Sequence, residues 1–346
     1  MITFNMVDFS SPEWRKEAEN VSGRTVYQHP AWIAFIAETQ RATPVVAEIR
    51  DGNSKIGYFA GLTFRRFGLK VLGSPFPGWS TGYMGFHLKD GVPRSEAIAA
   101  LSRFAFGDLG CAHLEYMDRN CTVEDATKLN CRYNLYTSFE IDLRPEPKKI
   151  LANMAHEKRT NLRKAEKNAL VVEEASDSEF ADEYYAQHSE VFRRQSLTPT
   201  YSCERVRALI KHLQPTGNLL LLRVRDREGH CIATYISLGE NTRAYMWGAA
   251  SLQQYQILRP NELAFWHTFQ YWKARGALFM DLTGNSDYKA RYGAYRICLP
   301  WIHESKYPLL AQLRDSARHL VRVKQRVWGR WSASRGEDAS SPSLVH

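Results

Sequence analysis

The sequence predicts an α/β protein (α+β in detail) made of two successive domains of one layout, each a mixed, mostly antiparallel sheet flanked by helices. Three observations carry this. A chain of 346 residues has room for two domains of ordinary size. Its 44% hydrophobic and 24% charged residues are those of a globular chain that buries a core. Above all, strand and helix signals follow one order, β-α-α-β-β-β-α-β-α-β, and then follow it again.

In the first half, a strand is expected around Ile2 to Phe9 and helices over Ser11–Asn20 and Pro30–Gln40. Pro44–Arg50 and Lys55–Arg66 read as a hairpin that turns at Asp51-Gly52-Asn53, because such residues adopt turn dihedrals cheaply. A broken strand follows through Gly73-Ser74-Pro75 and Tyr83–Phe86. After it come a helix from Pro93 to about Phe106, a strand His113–Met117, a short helix near Val123–Leu129 and a strand Leu135–Leu143. The run from Gly73 to Tyr83 is too rich in Gly, Pro and aromatics for a plain strand; it reads either as a shaped loop over a cleft or as a bulged strand.

A basic helix is expected over roughly 147–167, since Pro is tolerated in a first helical turn. Arg159, Arg163 and Lys167 stand at i, i+4 and i+8 on one face, while Leu151, Ala155, Leu162 and Ala165 make a narrower apolar stripe. Such a face serves either solvation or anion binding. In the second half, Leu170–Glu174 reads as a strand, Ser178–Arg193 and Ser202–Leu213 as helices, and Leu219–Arg225, Ile232–Leu238 and Ala244–Ala249 as three strands joined by tight turns.

The stretch from Leu258 to Trp301 gathers the chemistry. Arg259-Pro260-Asn261 opens a helix whose free backbone N–H groups suit an anion such as a phosphate. Leu263, Phe265, Trp266, Phe269 and Trp272 make that helix apolar on nearly every side, so it is packed on two faces. A strand then ends in Asp281-Leu282-Thr283-Gly284, a turn carries Tyr288-Lys289 and Arg291-Tyr292-Gly293, and a strand Ile297–Trp301 closes the unit. Beyond it a helix from Tyr307 to about Trp328 is expected, with Arg314, Arg318, Arg322 and Arg326 on one face as a footprint for the phosphates of tRNA or of lipid headgroups. From Ser332 the composition is that of a disordered tail.

The doubled element order is similar to two GNAT-type acyltransferase domains in tandem. The block 158–172 (KRTNLRKAEKNALVV), the RPNEL helix start, the DLTG strand end and the YKARYG turn together resemble the FemABX family, over residues 1 to about 305 and most strongly over 158–293. Members of that family move an amino acid from aminoacyl-tRNA onto a peptidoglycan precursor. The resemblance implies an acyltransferase with an N-terminal GNAT-like domain over 1–145 on the acceptor side and a C-terminal one over 146–305 on the donor side. The basic helix 306–331 and the tail 332–346 follow. No Ser/His/Asp or Cys/His grouping stands out, so direct attack of an amine on a bound ester or thioester is the economical mechanism.

Site roles follow from the same resemblance. Lys289 matches the lysine of the family's Phe-Lys pair, with Tyr288 in place of Phe, and would hold the donor phosphate or the oxyanion. Asp281 would orient the attacking amine or cap the next turn. Arg259, Asn261, Tyr288, Arg291, Tyr245 and Trp247 are expected on the donor side, the last two either lining the cleft or packing the core. Arg159 and Arg163 match the family's acceptor-contacting basic helix, and Trp79 and Tyr83, in the first domain, are also expected to bind the acceptor. The stretch 253–260 (QQYQILRP) lacks the glycine-rich pyrophosphate loop of many acetyl-CoA enzymes, which favours aminoacyl-tRNA as co-substrate, with acyl-CoA the alternative. Where peptidoglycan enzymes place a lysine soon after a tryptophan like Trp32, the segment 31–36 has none, so a UDP-linked muropeptide acceptor is not favoured.

Composition narrows the partners. A net charge of +9 favours anionic ones: tRNA, a phosphate-bearing donor, or peripheral contact with an anionic membrane. Six cysteines without a CxxC pair argue against zinc and disulfides, no bound cofactor is expected, and no apolar window is long enough for a span. With no basic start followed by an apolar run, a cytoplasmic protein is expected. A non-catalytic tRNA- or membrane-binding protein is the rival reading.

Overall fold

Each half of the chain builds a six-position sheet whose last position is filled by the closing strand of the other half. The computed structural model describes residues 1–19, 23–310 and Arg314. Among them two compact units form, one from residues 1–137 with 298–310 and Arg314, the other from residues 138–297. The expected division at 145/146 thus falls at 137/138, inside a strand.

The first half runs β1 (Ile2–Val7), α1 (Pro12–Glu19), α2 (Pro30–Gln40), β2 (Thr43–Asp51), β3 (Ser54–Arg66), β4 (Leu69–Ser74), β5 (Phe86–Leu88), α3 (Arg94–Arg103), β6 (His113–Tyr116), α4 (Val123–Lys128) and β7 (Tyr133–Asp142). The second runs α5 (Pro147–Asn153), α6 (His156–Lys167), β8 (Val171–Glu174), α7 (Phe180–Arg194), α8 (Cys203–Leu213), β9 (Leu219–Arg225), β10 (Cys231–Glu240), β11 (Arg243–Ser251), α9 (Pro260–Ala274), β12 (Phe279–Asp281) and β13 (Tyr295–Ser305). The predicted order therefore appears twice, with the short β5 added in the first half and a 3₁₀ turn, Asp287–Tyr292, in place of α4 in the second.

In the first unit the sheet order is β1-β2-β3-β4-β6-β13, with β5 on β3. Only β4 and β6 pair in parallel, across the α3 crossover, and Ile302–Ser305 of β13 pairs antiparallel with β6. The second unit has the same plan: β8-β9-β10-β11-β12-β7, with β11 and β12 parallel across α9 and β7 antiparallel to β12. A parallel neighbour needs a crossover helix, whereas antiparallel neighbours need only a turn, so the one parallel pair marks where each unit inserts its long connection.

The first core gathers Phe4, Ile49, Phe59, Phe86, Leu101, Phe104 and Tyr116. Burial of this kind stabilises by roughly 25 cal/mol per Å² of apolar surface removed from water. Rings of the Gly73–Tyr83 run are buried as well. Trp79 is buried against Phe64 and Phe76, with ring centroids 5.6 and 6.1 Å away, and Tyr83 packs edge-on to Tyr27 at 6.3 Å. A Cβ on Gly73 would come within 2.9 Å of the Trp79 ring, so the strand requires glycine there. Trp79 and Tyr83, expected as acceptor contacts, are core rings.

Around α9 the second core gathers Leu222, Tyr235, Met246, Phe265, Phe269, Trp272 and Tyr292. Trp272 donates its indole N–H to Ser237 Oγ at 2.9 Å, and a Cβ on Gly239 would strike its ring at 2.4 Å. Gly276, at φ +90°, ends α9 in the left-handed conformation that closes the last carbonyls.

Two expectations change. The basic helix over 147–167 is two helices, α5 and α6, broken at Met154–Ala155. The Ala155 amide donates to the Arg291 carbonyl at 2.8 Å, a tertiary partner that no local pattern reveals, and the Arg159 guanidinium donates to the nearby carbonyls of Ala152 and Met154. Of the C-terminal arginine ladder only Arg314 is described. It makes a two-pronged ion pair with the buried Glu115, at 2.6 and 3.0 Å, so it is a structural cation. Arg318, Arg322, Arg326 and the tail lie outside the described residues. Among the described residues no helix is long and apolar enough to cross a membrane.

Candidate active site in the second unit

The parallel pair of the second unit opens at one end. β11 and β12 are in register only from Arg243↔Phe279 to Tyr245↔Asp281. β11 continues to Ser251 while β12 stops, and their last link is the Thr283 hydroxyl donating to the Met246 carbonyl at 2.8 Å. A bulge sharpens the parting: the β10–β11 register shifts between Ile236↔Gly248 and Ser237↔Met246, which leaves Trp247 as the extra residue. Because α9 starts where β11 has ended and leads back to a parallel β12, its N-terminus lies at this same end. Carboxyl ends of parallel strands beside a helix N-terminus are where open sheets bind ligands.

Arg259 takes the left-handed conformation, φ +66°, just before Pro260, and no side chain caps α9. The first-turn amides after Pro260 therefore have no intrahelical acceptors. Arg259 is half-buried, and its Nε is buried without a hydrogen-bond partner among the described residues. The Asn261 side chain is already engaged, its Oδ1 accepting the Tyr235 hydroxyl at 2.6 Å; what it offers a ligand is its backbone.

Glu262, also in the first turn, is buried and supplies a carboxylate at the positive end of the helix. Lys158 on α6 neutralises it at 2.9 Å and sits 4.6 Å from the Tyr292 ring centroid. α6, the α9 start and the 287–292 turn thus converge. Lys158 and Glu262 lie inside the KRTNLRK and RPNEL motifs, but their pairing spans 104 residues and left no sequence signal.

Lys289 is buried on the 3₁₀ turn and donates to the carbonyls of Thr283 and Gly284. Burial lowers its pKa below the usual lysine range, and the nearby Asp281 carboxylate partly opposes that. Asp281 is buried as well; it accepts from the Ser138 hydroxyl and from the Thr283 amide, the latter at 2.7 Å. It caps the turn after β12, the structural alternative named for it, and is not open to an incoming amine. Lys289 and Asp281 together hold the 281–284 turn that ends the β12 side of the opening.

The remaining expected residues divide. Tyr288 is exposed beside Lys289, whose Nζ lies 5.9 Å from its ring centroid. Arg291 is exposed and ion-paired with Glu157 at 2.8 Å, locking the turn to α6. Tyr245 is a buried ring of β11. Trp247 is half-buried, 4.8 Å from Tyr201, whose hydroxyl meets that of Tyr184 at 2.6 Å. Arg163 is exposed on α6, while Arg159 is spent on the α5 carbonyls. Sequence reasoning missed Tyr184, His188 and Tyr201, which stack beside the bulge.

Residues 152–290, which contain this opening, match the family model described as the acetyltransferase (GNAT) domain. The chain carries a GNAT acyltransferase domain. No curated protein matches the sequence. Among solved structures, FemX superposes with a TM-score of 0.69 at 11% identity, over 86% of this chain and 97% of that one. The C-terminal domain of a putative lysylphosphatidylglycerol synthetase from Agrobacterium fabrum gives 0.55 at 10% identity, over 89% and 96%. A tandem GNAT protein from the clavulanic acid biosynthesis pathway gives 0.52 at 10%, over 89% and 99%. At such identities these likenesses establish the fold alone. Within the GNAT domain, β11, β12 and α9 are the elements around which its opening is built.

Proposed function

We propose that the opening between β11 and β12 takes the activated acyl end of an aminoacyl-tRNA, and that an amine of a small molecule or cell-envelope precursor attacks it directly. The observation that carries this is the parting of the two strands beyond Tyr245 and Asp281, with the uncapped α9 start and Arg259 at the same end. In the reaction the amine nitrogen bonds to the carbonyl carbon, the ester bond to the terminal ribose breaks, and the nitrogen's proton passes to the departing hydroxyl. Trp247 would line the acyl channel, while Arg259 and the α9 amides would face donor phosphate. Lys289 would act chiefly by fixing the turn.

Four of the six thiols are ill suited to form a covalent intermediate. Burial pushes Cys121 and Cys131 up to about 12 and Cys203 and Cys231 up to about 11, so these thiols do not ionise near neutrality. The donor reading also draws on the absence of a glycine-rich loop in 253–260 and on the structural likeness to a putative lysylphosphatidylglycerol synthetase. Acceptor binding on the first unit, tRNA as partner and a cytoplasmic setting belong to the same proposal.

Acyl-CoA is the second reading, favoured by the acetyltransferase description of the matching family. Thermal unfolding with charged tRNA and with acetyl-CoA separates the two. A ligand at a hundredfold its dissociation constant adds about 2.7 kcal/mol of stability. Protection by charged tRNA, and release of deacylated tRNA when amines are added, is expected. Protection by acetyl-CoA with indifference to charged tRNA would sink the tRNA donor. If neither donor is consumed with any amine, the non-catalytic reading stands.

A further inference from the structure

The β3–β4 hairpin of the first unit carries a feature that acyl transfer does not use. Arg66 pairs with Leu69, so the loop is the two residues Phe67-Gly68, at φ +49° and +78°. Both central residues of such a tight hairpin turn lie in the left-handed region, where Asn, Asp or Gly are at ease and a side chain such as Phe costs about 1–2 kcal/mol. The sequence nonetheless places phenylalanine there, and its side chain lies outside the core: Phe67 is 90% exposed. Leu69 beside it is also exposed. An aromatic in an unfavourable backbone conformation and out of the core contributes nothing to the fold, which points to a partner outside the chain.

The flanking charges say which partner. Arg65, Arg66 and Lys70 stand around the tip, and from Ile56 to Lys89 the sequence has no acidic residue. Arg65 donates to the Gly68 carbonyl at 3.1 Å and Lys70 to the Leu109 carbonyl at 2.9 Å; neutral acceptors leave both charges uncompensated. Arg66 lies between rings, 5.7 Å from the Phe67 centroid and 5.6 Å from that of Phe76. The one carboxylate on the adjoining turn is the exposed Asp108. An apolar tip ringed by cations with long aliphatic stems matches the boundary between acyl chains and anionic headgroups.

We propose that the Phe67-Gly68 tip inserts into the interface of an anionic membrane, with Arg65, Arg66 and Lys70 on headgroup phosphates. This stands apart from the reading of the second unit, which it neither needs nor supports. The test is cosedimentation of the full chain with vesicles of phosphatidylcholine alone and of phosphatidylcholine with phosphatidylglycerol. Binding is expected to the anionic vesicles and to fall about fivefold for each cation removed in Arg65→Gln and Arg66→Gln. Phe67→Asn is the decisive variant: asparagine suits the turn, so thermal stability should hold or rise, while vesicle binding falls about tenfold.

Keeping the same C-terminal region in every variant isolates the hairpin's share of binding. Undiminished binding by Phe67→Asn, equal binding to both vesicle types, or none to anionic vesicles overturns the proposal. So does a dimer in solution that Phe67→Asn reverts to monomer, which would make the tip a protein-docking surface.

Discussion

Lys289→Met separates two roles that share one side chain. Methionine keeps most of the aliphatic stem but removes the ammonium that donates to the carbonyls of Thr283 and Gly284. Hydrogen bonds to charged groups contribute about 1.5–3 kcal/mol, and the desolvation that lowers the Lys289 pKa offsets part of that, so a net loss of roughly 1–2 kcal/mol is expected. Thermal unfolding should then move down by about 2–6 °C. The transfer rate should fall tenfold or more, because the 281–284 turn that ends β12 loses its tie. If Lys289 also contacts donor phosphate, the donor KM rises as well; if it is only a tie, kcat carries the loss.

The pH dependence gives a further check on the same variant. The unfolded lysine holds its proton up to the ordinary value of 10.5, and the folded one releases it earlier. In that interval the unfolded state binds more protons, so stability rises with pH. The stability difference between parent and Lys289→Met should therefore grow in the parent's favour as pH approaches 10.5 from below. Unchanged melting temperature and unchanged kcat/KM together would refute the reasoning.

Other perturbations follow from the same geometry. Gly248→Ala puts a Cβ 2.2 Å from the Tyr184 hydroxyl; overpacking of that kind costs about 1–3 kcal/mol, and adding Tyr184→Phe should recover part of the melting temperature. Breaking the buried Lys158–Glu262 pair with Lys158→Met leaves a carboxylate at the α9 start and should cost about 3 kcal/mol in urea unfolding, with Glu262→Gln added on top restoring much of it. His29 caps α2 by accepting the Ala31 amide on Nδ1 at 3.0 Å, and burial, helped by the charge of Arg24, lowers its pKa to about 4. Its stabilisation is complete above 6.5 and lost as pH falls toward 4, so His29→Asn should flatten acid unfolding in that window.

How much was legible depends on the range of the interaction. The start of α9 at Pro260 is local chemistry, a residue with no amide to lose, and it stands in the sequence. So do the hairpin turns and the repeated order of elements, because periodicity and turn residues report on neighbours a few positions away. Within the site, the opening residues of α9 and the 288–293 turn were legible for the same reason.

What tertiary structure decided is everything set by partners far along the chain. β13 completes the first unit's sheet through Ile302–Ser305 on β6, and β7 completes the second through β12. No pattern within β7 or β13 says which sheet it joins, since a strand's alternation fixes its faces and not its neighbour. The break before α6 depends on the Arg291 carbonyl, and the neutralisation of Lys158 on Glu262. Trp79, Tyr83 and Trp247 are all aromatic in sequence. Packing alone put the first two in a core and left the third at the bulge where β11 parts from β12.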